Sequence, residues 1–497
     1  MSHHPSAPAV DRPPVPRAGL IIAVLAFGSL CAALMQSLVI PIQSELPELL
    51  HTSAANTSWV VTATLLGAAV AMPVTGRLAD IVGKRPVLLG SALILVVGSL
   101  VCAVSSSLPV VLTGRVLQGV AMGFIPVAIS FAREVAPPTM VNTAVAGISA
   151  TLGVGGALGL PLAAWIAQSY DWHLLFWIST ALAALIAVGS ATLLPRVDDR
   201  HPARLDLVGA VGLGVGLVLV LVALTKGSAW GWGSATTLGM IGGGGVVLLA
   251  WGWYELRHHD PLVDLRTTAR RPVLLTNLAA LLIGFGMMAQ SIVVPQLLQM
   301  PAATGFGLDQ SILQAGLWMA PAGVMMMLMT PVSSRILSTV GGRPALVLGA
   351  VVLGAGYVLA VFLTGAPWQL MIATCVASAG VGIGYAAMPT LIMQNVPAAE
   401  AASGVGVNAL MRSMGTTVAG AVMALVLTST TVELTPGVTV PAEGAFRLCF
   451  IIGAAAALAG AAVAWCVGGA RSTPGARPAA GADRPSGADV EQPSVPV

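Results

Sequence analysis

Long apolar runs separated by short polar stretches recur along the chain from residue 18 to residue 468. The runs are continuous and do not alternate every second residue, as strands of a membrane barrel would. About 20 apolar residues in helical form cross the hydrocarbon core of a bilayer, and a helix satisfies its own backbone there. The pattern predicts fourteen membrane helices, numbered 1 to 14 in chain order. They lie at roughly 18–41, 57–76, 86–105, 108–131, 142–168, 173–194, 206–226, 235–254, 272–298, 312–334, 344–364, 368–394, 403–430 and 446–468. The first run is too long for the core of a signal peptide and no small-residue cleavage site follows it, so it reads as an uncleaved span. Residues 1–17 are polar and Pro-rich, and 469–497 are rich in Ala, Gly, Pro and Asp and expected to be disordered.

Charge turns this count into a topology. Charged residues make up 8% of the chain, against about 25% in soluble domains. If the N-terminus is cytoplasmic, the cytoplasmic segments hold 18 of the 22 Lys and Arg residues. These are Arg12 and Arg17 in the N-terminal tail; Arg77, Lys84 and Arg85 between helices 2 and 3; Arg133 after helix 4; Arg196, Arg200 and Arg204 before helix 7; Arg257, Arg266, Arg270 and Arg271 before helix 9; Arg335 and Arg343 before helix 11; and Arg471, Arg477 and Arg484 in the C-terminal tail. The outer loops hold Lys226 and the acids Glu45, Glu48, Asp171, Asp309, Glu433 and Glu443. This is a positive-inside distribution, with both termini cytoplasmic. Trp59, Trp172, Trp230, Trp232 and Trp368 fall at outer helix ends, as an interfacial aromatic belt would. The net charge of +3 is small and the basic residues form no patch, so no nucleic-acid partner is expected. The five cysteines lie in apolar stretches without a CxxC pair and read as small core residues, not as a disulfide or metal site.

The chain also repeats itself. Arg77–Pro86 (RLADIVGKRP) aligns without a gap to Arg335–Pro344 (RILSTVGGRP), 258 residues on. Gln36–Pro41 matches Gln290–Pro295 at an offset of 254, and Gly119–Phe124 matches Gly380–Tyr385 at 261. Helices 1, 3 and 4 thus map onto helices 9, 11 and 12. A shift of eight helices predicts an all-α membrane protein of two six-helix bundles plus two extra transmembrane helices, 14 in total. The N-terminal bundle is 18–196, a linker with the extra pair is 197–264, and the C-terminal bundle is 265–468. Transporters are commonly built from such parallel repeats, with the substrate site between them near the midplane.

Several strings carry a family resemblance. Gly76–Arg85 (GRLADIVGKR) resembles the major-facilitator motif between helices 2 and 3, on Gly76, Asp80, Gly83, Lys84 and Arg85. Trp59–Leu66 (WVVTATLL) looks like that family's second helix, and Arg115, Gln118 and Gly119 match its RxxQG signature at the start of helix 4. Gly153–Pro161, with Gly155, Gly159 and Pro161, resembles the helix 5 motif of its exporters, although Pro161 stands one place late and Ala163 and Ala164 replace a Gly pair. Relatives often carry an Asp in helix 1 after Met-Gln-x-Leu. Here Val39 follows Met35–Leu38, which leaves helix 1 without that acid. Over 18–468 the chain is similar to the fourteen-span drug:proton antiporter branch of the superfamily. The resemblance implies a monomeric, multi-pass transporter of the cell (inner or plasma) membrane that exports small molecules, energised by a proton gradient and using no cofactor.

Residue chemistry narrows this further. There is no nucleotide-binding P-loop and no nucleophile–base or metal-ligand cluster, so neither an ATP-driven pump nor an enzyme is expected. All nineteen acids fall in loops, tails or helix ends; Asp80, Glu134, Asp206 and His173 are the candidate proton carriers. Asp80 is expected to accept hydrogen bonds at a helix N-terminus or to pair with Arg133, as a latch that closes the cytoplasmic side. Glycines in helix 5 allow close helix approach, and Pro161 can kink it. Arg115 and Arg412 lie deep in their helices, and Asn408 shares a face with Arg412. Each arginine reads either as a tie to backbone carbonyls or as a source of positive potential in a cavity. Gln36 and Gln290 read as substrate contacts or as interhelical hydrogen bonds. Met35, Met122, Met287, Met288, Phe124, Tyr385 and Met388 form a candidate adaptable wall. With no buried carboxylate for a dication, the expected small-molecule substrate is a neutral or anionic amphiphile. The alternatives are a narrow exporter of one metabolite, such as a siderophore or a self-made antibiotic, and a non-transporting membrane scaffold or sensor.

Overall fold

The structure, a computed structural model, describes residues 17–467 apart from Pro41, Ser44, Asp198, Asp199, Pro202, Pro436 and Gly437. Expectations for the two tails, with Arg12, Arg471, Arg477 and Arg484, fall on 1–16 and 468–497, outside the described residues. Fourteen described helices are long and apolar enough to cross a membrane. Helices 1 to 6 are Ala18–Ser37, Ala55–Val82, Lys84–Ala103, Leu108–Val135, Val141–Ala167 and His173–Leu193. Helices 7 and 8 are Leu207–Trp230 and Ala235–Glu255. Helices 9 to 14 are Arg271–Gln299, Ile312–Thr339, Gly342–Phe362, Pro367–Asn395, Ala398–Ser429 and Glu443–Trp465.

Three features depart from the hydropathy pattern. Helices 2 and 10 run on to Val82 and Thr339, past the first charged residues, Arg77 and Arg335. The Gly76–Arg85 motif is therefore a helix end, a single break at Gly83 (φ 104°) and a helix start. Helix 4 is interrupted at Met122–Gly123 between segments Leu108–Ala121 and Phe124–Val135. Pro126 has no N–H for the Met122 carbonyl, so the chain tightens there into shorter-range bonds, including Ile125 N to Met122 O. Between helices 13 and 14, Thr431–Thr435 pairs antiparallel with Val438–Pro441. The Val and Thr content of this stretch suits a strand pair, although the sequence reads as a loop.

Apolar side chains build one cluster mainly in helices 1–6, around Leu25, Val60, Leu88, Phe131 and Phe176 and reaching Ile392 and Ala402 of the other bundle, and another mainly in helices 9–14, around Val293, Leu353, Phe446 and Phe450 and reaching Ala146 of helix 5. A third cluster joins the two bundles through helix 7. Leu213, Leu217 and Leu221 pack with Ala69 of helix 2 and with Val407 and Leu410 of helix 13, closed by Leu262 and Val263 ahead of helix 9. Lys226 is not in an outer loop. It lies within helix 7, 6% exposed, with Nζ bonded to Ser58 Oγ and 4.6 Å above the Trp59 ring, so it anchors helix 7 on helix 2. Trp172 is likewise buried and packs edge-on against Phe176, away from any belt. Helix 8 lies outermost, with Leu238, Leu249 and Trp253 exposed.

The internal repeat has a structural counterpart. Arg85 Nη2 donates to the Ala191 carbonyl at the end of helix 6 (2.6 Å), and its repeat partner Arg343 donates to the Trp465 carbonyl at the end of helix 14. Both cations sit where a helix leaves its last carbonyls unbonded.

Helix 4 meets helix 2 at Gly119. A Cβ there would come within 3.0 Å of Ala68 N and 3.1 Å of Gly67 Cα. Gly119→Val is expected to cost about 1–3 kcal/mol through overpacking. The measurement is the thermal midpoint and the monodisperse yield of the detergent-solubilised chain; an unaltered midpoint would refute this packing.

Candidate transport gate and buried arginines

The gate starts with small residues. Gly76 on helix 2 brings its backbone onto helix 13: an added Cβ would lie 3.0 Å from Ser403 Cα. Gly406 of helix 13 meets Met72 and Pro73 in the same way. The two helices belong to different bundles and touch backbone to backbone. One turn beyond Gly76, the Asp80 carboxylate, 1% exposed, accepts from Ala402 N (3.1 Å) and Ser403 N (2.8 Å) in the first turn of helix 13. Those amides have no intrahelical acceptor, and the helix dipole adds positive potential, so a carboxylate is the fitting cap. Lys84 Nζ lies 4.0 Å from Asp80 and 2.6 Å from Glu134 Oε1. The left-handed turn at Gly83 sets Lys84 back alongside Asp80.

Arg133 is not the partner of Asp80. Its Nη1 donates to the Met393 carbonyl at the end of helix 12 (2.6 Å), making a second tie between the bundles. Asp80 is already satisfied by helix 13, whereas the last carbonyls of helix 12 need a donor. The segment leading into helix 7 joins the same gate through His201 N, which donates to the Asp80 main-chain oxygen (3.0 Å).

Helix 5 is gripped from both bundles. A Cβ on Gly155 would lie 2.7 Å from Ala33 Cβ of helix 1, Gly159 abuts Ser37, and Ser37 Oγ donates to the Gly155 carbonyl (3.1 Å). Gly153 abuts Met326 of helix 10, and Pro161 lies 3.6 Å from the Cβ position of Gly316 on that helix.

The two deep arginines differ. Arg115, 1% exposed, donates through Nε to the Val60 carbonyl (3.1 Å) and through Nη1 to the Met35 carbonyl (3.1 Å) and Gln118 Oε1 (2.7 Å). Gln118 Nε2 then donates to Ser99 Oγ (2.9 Å). One side-chain pair thus joins helices 1, 2, 3 and 4, and Gly119 lets helix 4 come close enough. Arg412, 9% exposed, has its guanidinium 4.8 Å from the Tyr385 ring centroid and neither a hydrogen bond nor an ion pair among the described residues. Tyr385 Oη donates to Met287 Sδ (2.9 Å). Asn408 Nδ2 donates to Asn277 Oδ1 (2.9 Å), and Asn277 Nδ2 is buried without an acceptor.

The remaining candidates scatter. Gln290 Nε2 turns to helix 12, 3.4 Å from Thr374 O and from Ser378 Oγ, and no hydrogen bond joins it to half-buried Gln36. Met122 is buried at the break in helix 4. Among the described residues no group of three His, Cys, Asp or Glu side chains is placed to hold a metal ion. Asn277 escaped the sequence reading, although an Asn inside an apolar run is a visible signal. The backbone partners Ala402, Ser403 and Met393 carry no side-chain signal at all.

The family model of the Major Facilitator Superfamily matches residues 25–420 and, a second time, 276–492. The chain belongs to the Major Facilitator Superfamily. The fourteen helices of membrane-crossing length among the described residues make it a multi-pass member of that family. It is 27% identical over 395 residues to a multidrug resistance protein B homolog of Mycobacterium tuberculosis strain H37Rv, covering 76% of this chain and 70% of the relative. It is 26% identical over 424 residues to the tetracenomycin C resistance and export protein of Streptomyces glaucescens, covering 81% and 75%. Two further M. tuberculosis transporters, at 29% identity, are matched over 45% of their own length, just under half. Among solved structures, the human organic anion transporter MFSD10 superposes with a TM-score of 0.63 at 17% identity, covering 90% of this chain and all of that one.

Replacing Asp80 with Asn keeps the shape but removes the charge that faces the helix 13 amides. Charge-assisted bonds are about twice as strong as neutral ones, so Asp80→Asn is expected to weaken the closed gate about tenfold and slow transport at unchanged expression. Thiol labelling of Ser403→Cys in the Asp80→Asn background reports the opening; wild-type labelling and transport rates would remove Asp80 from the gate.

Proposed function

We propose that this transporter exports small amphiphilic molecules, drugs and antibiotics among them, across the cell membrane by alternating access in exchange for protons. The observation that carries this reading is the Asp80 carboxylate of one bundle seated on the helix 13 N-terminus of the other. Alternating access requires the bundles to close at one end and part at the other, and such a joint holds one end closed while leaving no covalent obstacle to opening. The joint lies among the arginine-rich segments, which the positive-inside rule assigns to the cytoplasm. In this conformation the carrier is closed toward the cytoplasm, the state from which an exporter releases its cargo outside. The names of the relatives, multidrug resistance protein and resistance and export protein, support the direction and the cargo class.

Proton coupling rests on carboxylates at the helix ends. Asp80 and Glu134 share Lys84, and protonating either redistributes the ammonium's attraction. A proton arriving on Asp80 removes the charge that the helix 13 amides face, which favours parting of the bundles. The narrow-exporter reading has one observation behind it, the match over 75% of a tetracenomycin exporter, and concerns breadth of cargo, not mechanism.

The test uses inverted membrane vesicles holding the overexpressed chain, with an imposed proton gradient and a panel of amphiphiles, following pH and compound uptake together. Substrate-dependent collapse of the gradient with uptake is the expected outcome. Uptake without proton movement would overturn antiport, and no uptake by any member of the panel would leave the narrow exporter in its place.

A further inference from the structure

We infer that Arg412, lying over the Tyr385 ring, is the docking point for an anionic group, a carboxylate or ionised enol, carried by an otherwise apolar exported molecule. This rests on the export reading and adds to it the chemical class of the cargo and the residue that selects it.

Position comes first. Arg412 lies eleven residues into helix 13 from Ala401, about 16 Å along the axis and so near the middle of an apolar layer about 30 Å thick. Its stem runs against the backbone of helix 9 where Gly284 has no side chain: a Cβ there would fall 3.0 Å from Arg412 Cγ. Tyr385 holds the guanidinium from below at 4.8 Å and is itself fixed by its bond to Met287. The head group is thus positioned by helices 9 and 12 without being neutralised by either.

The donor count comes second. A guanidinium carries five N–H donors and no acceptor. Arg115, seven residues into helix 4, places Nε and Nη1 on two carbonyls and an amide oxygen and leaves Nη2 alone without an acceptor. Arg412 places none on any described residue. One helical turn away on the same face, the Asn408–Asn277 pair leaves Asn277 Nδ2 buried and without an acceptor. Two neighbouring sites therefore share one deficit, acceptor atoms, and the larger carries a full positive charge. A buried cation with no counter-ion is among the costliest arrangements a membrane protein can hold. A planar anion supplies what Arg412 lacks, since a carboxylate accepts two parallel bonds from an arginine fork. The apolar remainder of the molecule meets half-buried Met287 beside the Tyr385 ring, a side chain that adapts to different shapes.

The test uses full-length protein in proteoliposomes under an imposed proton gradient, with two xanthene dyes of similar size, anionic carboxyfluorescein and cationic rhodamine 6G. Wild type is expected to accumulate carboxyfluorescein. Arg412→Gln is expected to lose at least about tenfold of that uptake, the loss of a charge-assisted pair, while Arg412→Lys retains a measurable share. Because Arg412→Gln risks misfolding, Arg412→Lys, which keeps the charge and loses the planar fork, supplies a second reading: the carboxyfluorescein KM should rise severalfold with rhodamine handling unchanged. Wild type moving rhodamine 6G but not carboxyfluorescein overturns the anion site and leaves the export reading standing. The same holds if a folded Arg412→Gln protein moves carboxyfluorescein at the wild-type rate, or if Arg412→Lys leaves both KM values unchanged. Wild type moving neither dye overturns this inference, which requires carboxyfluorescein uptake, while the export reading is decided by the amphiphile panel.

Discussion

A carboxylate that is 1% exposed in a chain built for lipid needs a partner of opposite polarity, and Asp80 finds it in the backbone of the other bundle. The first amides of any helix are unbonded donors; placing the start of helix 13 against the end of helix 2 lets one deficit cancel the other. Much of the surrounding geometry serves this contact. Gly76 and Gly406 remove the side chains that would hold the two helices apart, and Gly83 turns the chain so that Lys84 returns to the carboxylate it follows. The contact is also reversible, because once the bundles separate, water can take the place of either partner.

Helices 7 and 8 gain a physical role from the same place. Helix 7 packs on helix 2 and helix 13, the two helices the carboxylate joins, and Lys226 anchors its far end on Ser58 and Trp59 of helix 2. The segment entering helix 7 bonds to the Asp80 carbonyl through His201, and Leu262 and Val263, after helix 8, close the same apolar cluster. The inserted pair is thus packed along the seam that has to change when the gate opens. Apart from Lys226, its contacts in this cluster are apolar, so a shift of the helix 13 side changes packing there without stranding a charge.

How much of this was legible follows from what kind of group does the bonding. Hydropathy and arginine spacing were enough for fourteen helices, because both report the lipid environment directly. Asp80, Lys84 and Arg85 stood out as charges in an apolar chain, and Arg115 and Arg412 as charges deep within helices. Their partners did not. Ala402, Ser403, Met393, Val60, Met35 and Ala191 all contribute backbone atoms, and a backbone amide has no signature in a sequence. Of the two partners expected for Asp80, the helix N-terminus is the one it meets, although no residue type marks it as helix 13; the Arg133 pair fails because Arg133 is taken by the end of helix 12. Lys226 was misread because hydropathy alone ends helix 7 at the lysine, whereas burial beside Trp59 lets the helix continue to Trp230.

The internal repeat makes the gate's one-sidedness meaningful. An offset of 258 carries Asp80 onto Ser338, and a similar offset of 260 carries Ser403 back onto Thr143 of helix 5. The duplicated fold therefore offers two seams, helix 2 against helix 13 and helix 10 against helix 5. In the first, a buried carboxylate faces two amides. In the second, Ser338 is exposed and bonds within its own helix to the Arg335 carbonyl, and the contact is a hydroxyl pair, Thr143 Oγ1 and Ser334 Oγ at 2.7 Å. An exposed neutral hydrogen bond exchanges with water at little cost, whereas a buried charged one must be replaced before it can be released. Two seams that began as copies thus differ in what it takes to part them, and a single carboxylate accounts for the difference. Both seams lie at the end that carries the arginine-rich segments, so the carboxylate makes closure there lopsided: helix 2 is held to helix 13 by charge, and its duplicate, helix 10, to helix 5 by a neutral hydroxyl pair.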